Sequence, residues 1–155
     1  MDHAMQGTSP PSLNRLAFSA TTHCLTGCSI GEVLGMVIGT VLGWDNWATI
    51  ALSVVLAFVF GYLLTLLPLL HAGMKVVVAF GLAFASDTLS ITIMEIVDSA
   101  VMVVIPGAMN AGLIDPVFWI SLIVSLVLAG IAAFPANRWL IARGRGHALV
   151  HAHHG

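Results

Sequence analysis

Residues 23–43 read HCLTGCSIGEVLGMVIGTVLG. Taken as a helix, this segment carries two lanes. Gly27, Gly31, Gly35, Gly39 and Gly43 recur at every fourth position, and Cys24, Cys28, Glu32 and Met36 recur at the same interval, one position further on. Residues four apart share a helix face. A glycine lane lets a second backbone approach closely, the small-xxx-small mode of packing between helices in a bilayer. The neighbouring lane presents two thiols, a carboxylate and a thioether beside that contact, all inside an apolar segment.

Outward from this stretch, the whole chain is apolar. Of 155 residues only 8% are charged, against about 25% in a soluble domain, and the mean hydropathy is +1.02. An integral membrane protein follows. A spanning helix takes about 20 residues, which leaves room for about four spans and no sizeable soluble domain. The net charge of −2 carries no basic cluster, and no phosphate-cradling glycine motif occurs, so neither nucleic acid nor ATP is an expected partner. The N-terminus has no basic start before its first apolar run and does not read as a signal peptide.

The expected fold class is all-α, an integral membrane four-helix bundle. Residues 1–15 read as a disordered tail, 16–141 as the four-span domain, and 142–155 as a His-rich tail holding His147, His151, His153 and His154. The spans fall at 16–42, 48–70, 76–105 and 117–140. Thr21 or Thr22 is a candidate cap for the tighter part of the first span. Trp44 and Trp47 flank a short turn suited to an interface belt. Pro68 is expected to kink the end of span 2, which otherwise reads as scaffold. Span 3 is longer than a bilayer core requires and is expected to tilt, protrude or break, with Gly81 and Ser86-Asp87 as weak points; Pro106-Gly107 ends it. Arg15, Lys75, Arg138, Arg143 and Arg145 all fall in the N-terminus, second turn or C-terminus. The positive-inside rule then places both termini in the cytoplasm of a multi-pass protein of the inner (plasma) membrane.

Span 3 repeats the chemistry of span 1. Asp87, Ile91, Met94, Glu95, Asp98 and Met102 form one stripe at spacings of three and four. An ionised group at the bilayer centre costs at least about 2.5–3.5 kcal/mol, so intramembrane acids face a bundle interior and mark ion or proton paths. Neutral, mutually hydrogen-bonded acids are the structural alternative. The sulfur groups are packing or ligands: a single Met in a span is usually packing, but Met36, Met94 and Met102 sit on the acid-bearing stripes. His23, Cys24 and Cys28 offer three donors in six residues. Thiolate, thioether and imidazole together favour Cu(I); zinc or another divalent cation suits a Cys/His or carboxylate set. The candidate metal ligands are therefore His23, Cys24, Cys28, Glu32, Met36, Asp87, Met94, Glu95, Asp98 and Met102.

The segments HCLTGCSIGEVLGM and FASDTLSITIMEIVDSAVM resemble the signatures of a bacterial membrane family catalogued as a domain of unknown function, number 4396. The resemblance spans most of residues 20–140 and implies a compact four-helix membrane module, with no activity to carry over. Copper-transport trimers are similar in using Met pairs and glycine-packed helices, and mercury uptake proteins in placing a Cys pair in the first span. Here the pair is Cys-x-x-x-Cys, and a Met-x-x-x-Met pair is lacking within the spans.

The expected function is a membrane transporter or channel-like protein, not an enzyme, that binds and moves a soft metal ion such as Cu(I). It is expected to act as a homo-oligomer joined through the Gly27/Gly31/Gly35/Gly39/Gly43 face. The alternatives are a non-transporting metal chaperone or assembly subunit, a membrane thiol redox enzyme using Cys24 and Cys28, a haem carrier with His23 and His71 as axial ligands, and a proton or hard-cation pathway.

Overall fold

The computed structural model describes residues 12–144. The expected tails, with His3, Met5, Arg145 and the C-terminal histidines, lie outside the described residues except for 12–15 and 142–144. Helix α1 runs Leu13–Leu42, three residues earlier than expected, and α4 runs Pro116–Ala142. Between them lie α2, Asn46–His71, and α3, Val76–Val104. A single 3₁₀ turn, Ala108–Asn110, links α3 to α4. All four helices are long and apolar enough to cross a membrane. At ~1.5 Å per residue each outlasts a hydrocarbon core of about 30 Å, so the helix ends reach the interfacial layers.

Short polar signals start and stop these helices. Ser12 caps α1 by accepting the Arg15 N–H. Asp45 caps α2, taking the Trp47 and Ala48 N–H groups at 2.9 and 3.1 Å. Asp115 caps α4 from one residue before Pro116. An N-cap side chain satisfies donors that the first turn leaves unpaired. Helix α1 ends on Gly43 in the left-handed conformation (φ 66°), with Trp44 N–H on Gly39 O and Gly43 N–H on Thr40 O. That Schellman closure requires a residue that tolerates positive φ. Thr21 and Thr22 do not cap. They lie inside α1 and donate to the carbonyls four residues back, Ala17 and Phe18. Helix α3 does not break at Gly81 or at Ser86-Asp87: it is continuous to Val104 and stops before Pro106, which disfavours helical geometry in its predecessor. Pro68 likewise lies within α2, which continues to His71.

The four helices form a ring in which α1 packs on α2 and α4, α3 packs on α2 and α4, and α1 meets α3 across the diagonal. The glycine lane is consumed within the chain. A Cβ on Gly27 would stand 2.6 Å from Gly61 Cα, one on Gly31 would enter the backbone of Ala57, and those on Gly35 and Gly39 would strike Ser53 and Thr49. The expected subunit contact through this face is therefore corrected: Gly27, Gly31, Gly35 and Gly39 seat α2, and Gly43 is the helix stop. Helix α2 is correspondingly more than scaffold. Its buried residues Thr49, Ser53, Ala57, Gly61 and Thr65 repeat every four residues and form the complementary small-residue face.

At the basic end of the bundle, Asn137 donates to Thr21 Oγ1 at 2.9 Å, a buried clamp between α4 and α1. Arg143 lies over the Trp139 ring, 4.3 Å from its centroid. Trp44, Trp47 and Trp119 are exposed at the opposite end. This is the two-belt pattern of an aromatic-flanked membrane protein.

Candidate functional site

The α1 lane of Cys24, Cys28 and Glu32 and the α3 stripe of Asp87, Met94, Glu95, Asp98 and Met102 are all buried in the bundle. The two helices run in the same direction, so the stripes meet rung by rung. Cys24 stands beside Ser90 and Asp87. One turn on, the Cys28 thiol lies against the Glu95 carboxyl. One turn further, Glu32 and Asp98 bring their carboxyls within hydrogen-bonding reach of each other. Asp98 also accepts from the Ser125 hydroxyl of α4, and Asp87 accepts from Ser86 Oγ at 2.9 Å.

The last rung opens into a cavity of about 50 Å³ at the end of the bundle remote from the termini. Its polar lining includes Glu32, Glu95 and Asp98 with Ser53, Thr49 and Ser99, and its apolar lining Met36, Met102 and Met109 with Phe118 and Leu122. One water-sized probe needs ~10–15 Å³, so the space has room for roughly three to five water-sized groups. Among the described residues, no lysine or arginine lines it. Glu32, Glu95 and Asp98 are 6%, 5% and 7% exposed. Among the described residues, no donor reaches Glu32 Oε2 or Glu95 Oε1. A buried, unmatched carboxylate oxygen is costly in low dielectric, so these two atoms call for a proton or a cation.

The remaining candidates sit elsewhere. His23 is half-buried and turns to α2, with Nε2 3.2 Å from Thr65 Oγ1, while the thiols beside it face α3. His23, Cys24 and Cys28 therefore do not share one station. Met94 is buried in an apolar cluster with Cys24, Cys28 and Ile91, away from the cavity. Both cysteines are free. Among the described residues, no group of three or more His, Cys, Asp or Glu side chains converges as a ready-made metal site.

Three contributors escaped the sequence reading. Ser125 sits in an apolar helix with nothing local to mark it. Ser53 belongs to the four-residue repeat of α2, a signal that was there to be read. Met109 lies in the α3–α4 connection, and only the fold returns it to the cavity.

A multi-pass membrane protein with an acid- and sulfur-lined interior is thereby defined. The family described as Domain of unknown function (DUF4396) matches residues 14–146, and the chain belongs to that family. No curated protein and no solved structure matches it.

Proposed function

We propose that this protein carries a cation across the membrane along the α1–α3 interior, and that its cargo is a soft metal ion, Cu(I) by preference. The observation that carries the reading is the pair of buried acceptor atoms, Glu32 Oε2 and Glu95 Oε1, on residues that line a small cavity with no basic side chain among its described lining residues. The order of the layers supports the choice of cargo. Thioethers stand at the cavity, carboxylates follow, and Cys24, Cys28 and Met94 form the next layer. Soft donors on both sides of an acid layer match Cu(I) better than Ca²⁺ or Mg²⁺. Thiols must lose a proton to ligate a metal, and Glu95 stands against Cys28 as an acceptor for it.

In this reading both termini are cytoplasmic, so the cavity opens to the far side of the inner membrane and the thiol layer lies toward the cytoplasm. In this reading the acid layer is assembled within one chain, from α1, α3 and α4. Reconstituted vesicles supplied with Cu(I) under reductant test this. Uptake that falls at least tenfold in Glu32→Gln and in Cys28→Ser supports it; wild-type vesicles no more permeable to Cu(I) than empty ones refute it. A second reading, a proton path, is favoured by the face-to-face carboxyls of Glu32 and Asp98. It predicts acid-driven proton flux in the same vesicles with no metal present.

A further inference from the structure

We propose that Met36, Met102 and Met109 form a three-thioether capture site for a soft monovalent cation at the cavity mouth, with Met109 contributed by the α3–α4 connection. The proposal rests on the transport reading only for its place in the path; the binding it describes stands or falls separately.

The three residues come from three elements, α1, α3 and the 3₁₀ turn. All three line the same cavity and belong to the same apolar cluster around Phe118 and Leu122. Thioether sulfur is a soft, neutral donor that selects Cu(I) and Ag(I) over Na⁺, K⁺ and Mg²⁺. It has no proton to lose, so capture here releases none, unlike binding at a thiol. Neutral donors leave the ion's charge uncompensated, and the carboxyls one or two turns away on the same two helices, α1 and α3, answer this. Glu32 and Glu95, each more than nine-tenths buried, present an oxygen that no protein donor reaches. Both of these residues line the same 50 Å³ space as the three methionines. Met36 and Met102 ride on spanning helices, whereas Met109 sits on a short turn between Gly107 and Ala111.

The test uses the full chain in detergent under reductant and Ag(I) as the probe, titrated against a competing chelator. Variants are Met109→Leu, the triple Met36→Leu/Met102→Leu/Met109→Leu, and Cys24→Ser/Cys28→Ser. Leucine keeps the volume of methionine, so thermal unfolding should be unchanged. The expected result is at least tenfold weaker Ag(I) binding in Met109→Leu, loss of one equivalent in the triple variant, and retention of that equivalent in the cysteine variant. A second measurement needs no variant: in the wild type, Ag(I) should slow peroxide oxidation of Met109, read by mass spectrometry. Unchanged affinity in Met109→Leu, or no protection of Met109, overturns the site. Binding as described without flux in vesicles leaves the site standing and removes the transport reading.

Discussion

Replacing Gly31 by alanine is the sharpest probe of the α1–α2 seam. The new methyl would meet the backbone of Ala57, with Leu56 C at 2.5 Å. Ordinary carbon contacts are ~3.5–4.0 Å, so the helices would have to part by roughly 1 Å. Backbone cannot rotate aside as a flexible side chain can, so the cost belongs at or above the top of the ~1–3 kcal/mol range for overpacking. Gly39→Ala meets a different obstacle, the Thr49 side chain, with Cγ2 at 2.7 Å and Cβ at 2.9 Å. Thr49→Gly should therefore rescue Gly39→Ala, while Ala57→Gly should fail to rescue Gly31→Ala, whose clash is with main chain. Gly81→Ala is the control: nothing lies within 4 Å of its Cβ, and alanine is the better helix former by ~0.8–1 kcal/mol. Reversible unfolding in mixed micelles, with increasing SDS fraction, reads all five variants. Wild-type stability in Gly31→Ala, or rescue by Ala57→Gly, would show that the seam is not built as described.

Three further perturbations act on buried polar groups. Ser125→Ala removes the hydroxyl that donates to Asp98 and should cost about 1.5–3 kcal/mol, with Ser125→Thr recovering part of it in the same unfolding assay. Asn137→Leu strands nothing charged but breaks the α4–α1 clamp to Thr21; a loss of about 1–3 kcal/mol is expected, and the Thr21→Val/Asn137→Leu pair should lose less than the sum of its single variants. Cys24 and Cys28 are 2% and 0% exposed, so maleimide labelling should be slow in native micelles and fast in SDS, and rapid native labelling of either would contradict the burial.

The limits of the sequence reading have physical causes. Spans are legible because a bilayer demands long apolar helices, and their ends because Gly43, Asp45, Asp115 and Pro116 act within a few residues of themselves. The ligand lane of α1 and the stripe of α3 are legible because polar groups in lipid have to turn inward. What a lane packs against is another matter. A glycine every fourth residue states that a backbone comes close, not whose backbone it is. The answer was encoded further along the chain, in the four-residue rhythm of Thr49, Ser53, Ala57 and Gly61, and it needed both lanes to be read together. Ser125 and Met109 are harder still, because their roles depend on the ring closing α4 and the α3–α4 connection onto the acid layer. His23 illustrates the opposite error. Adjacency to Cys24 promised a shared site, but consecutive positions on a helix point about 100° apart, and His23 faces Thr65 instead.

Seam and site are coupled through α1. Glu32 follows Gly31 directly, and the Ser53 hydroxyl that lines the cavity also donates to the Glu32 carbonyl at 3.4 Å. The backbone contact between α1 and α2 thus sets the depth at which Glu32 reaches toward Asp98. A methyl on Gly35, which would press on Ser53 with its Cα at 2.5 Å, should disturb the cavity without changing any residue that carries charge. In Gly35→Ala, Ag(I) binding should weaken together with stability, and Ser53→Gly should fail to restore either fully, since part of the clash is with main chain. If Gly35→Ala lost stability yet bound Ag(I) as the wild type does, the acid layer would be held by α1, α3 and α4 without α2, and α2 would return to the role of scaffold.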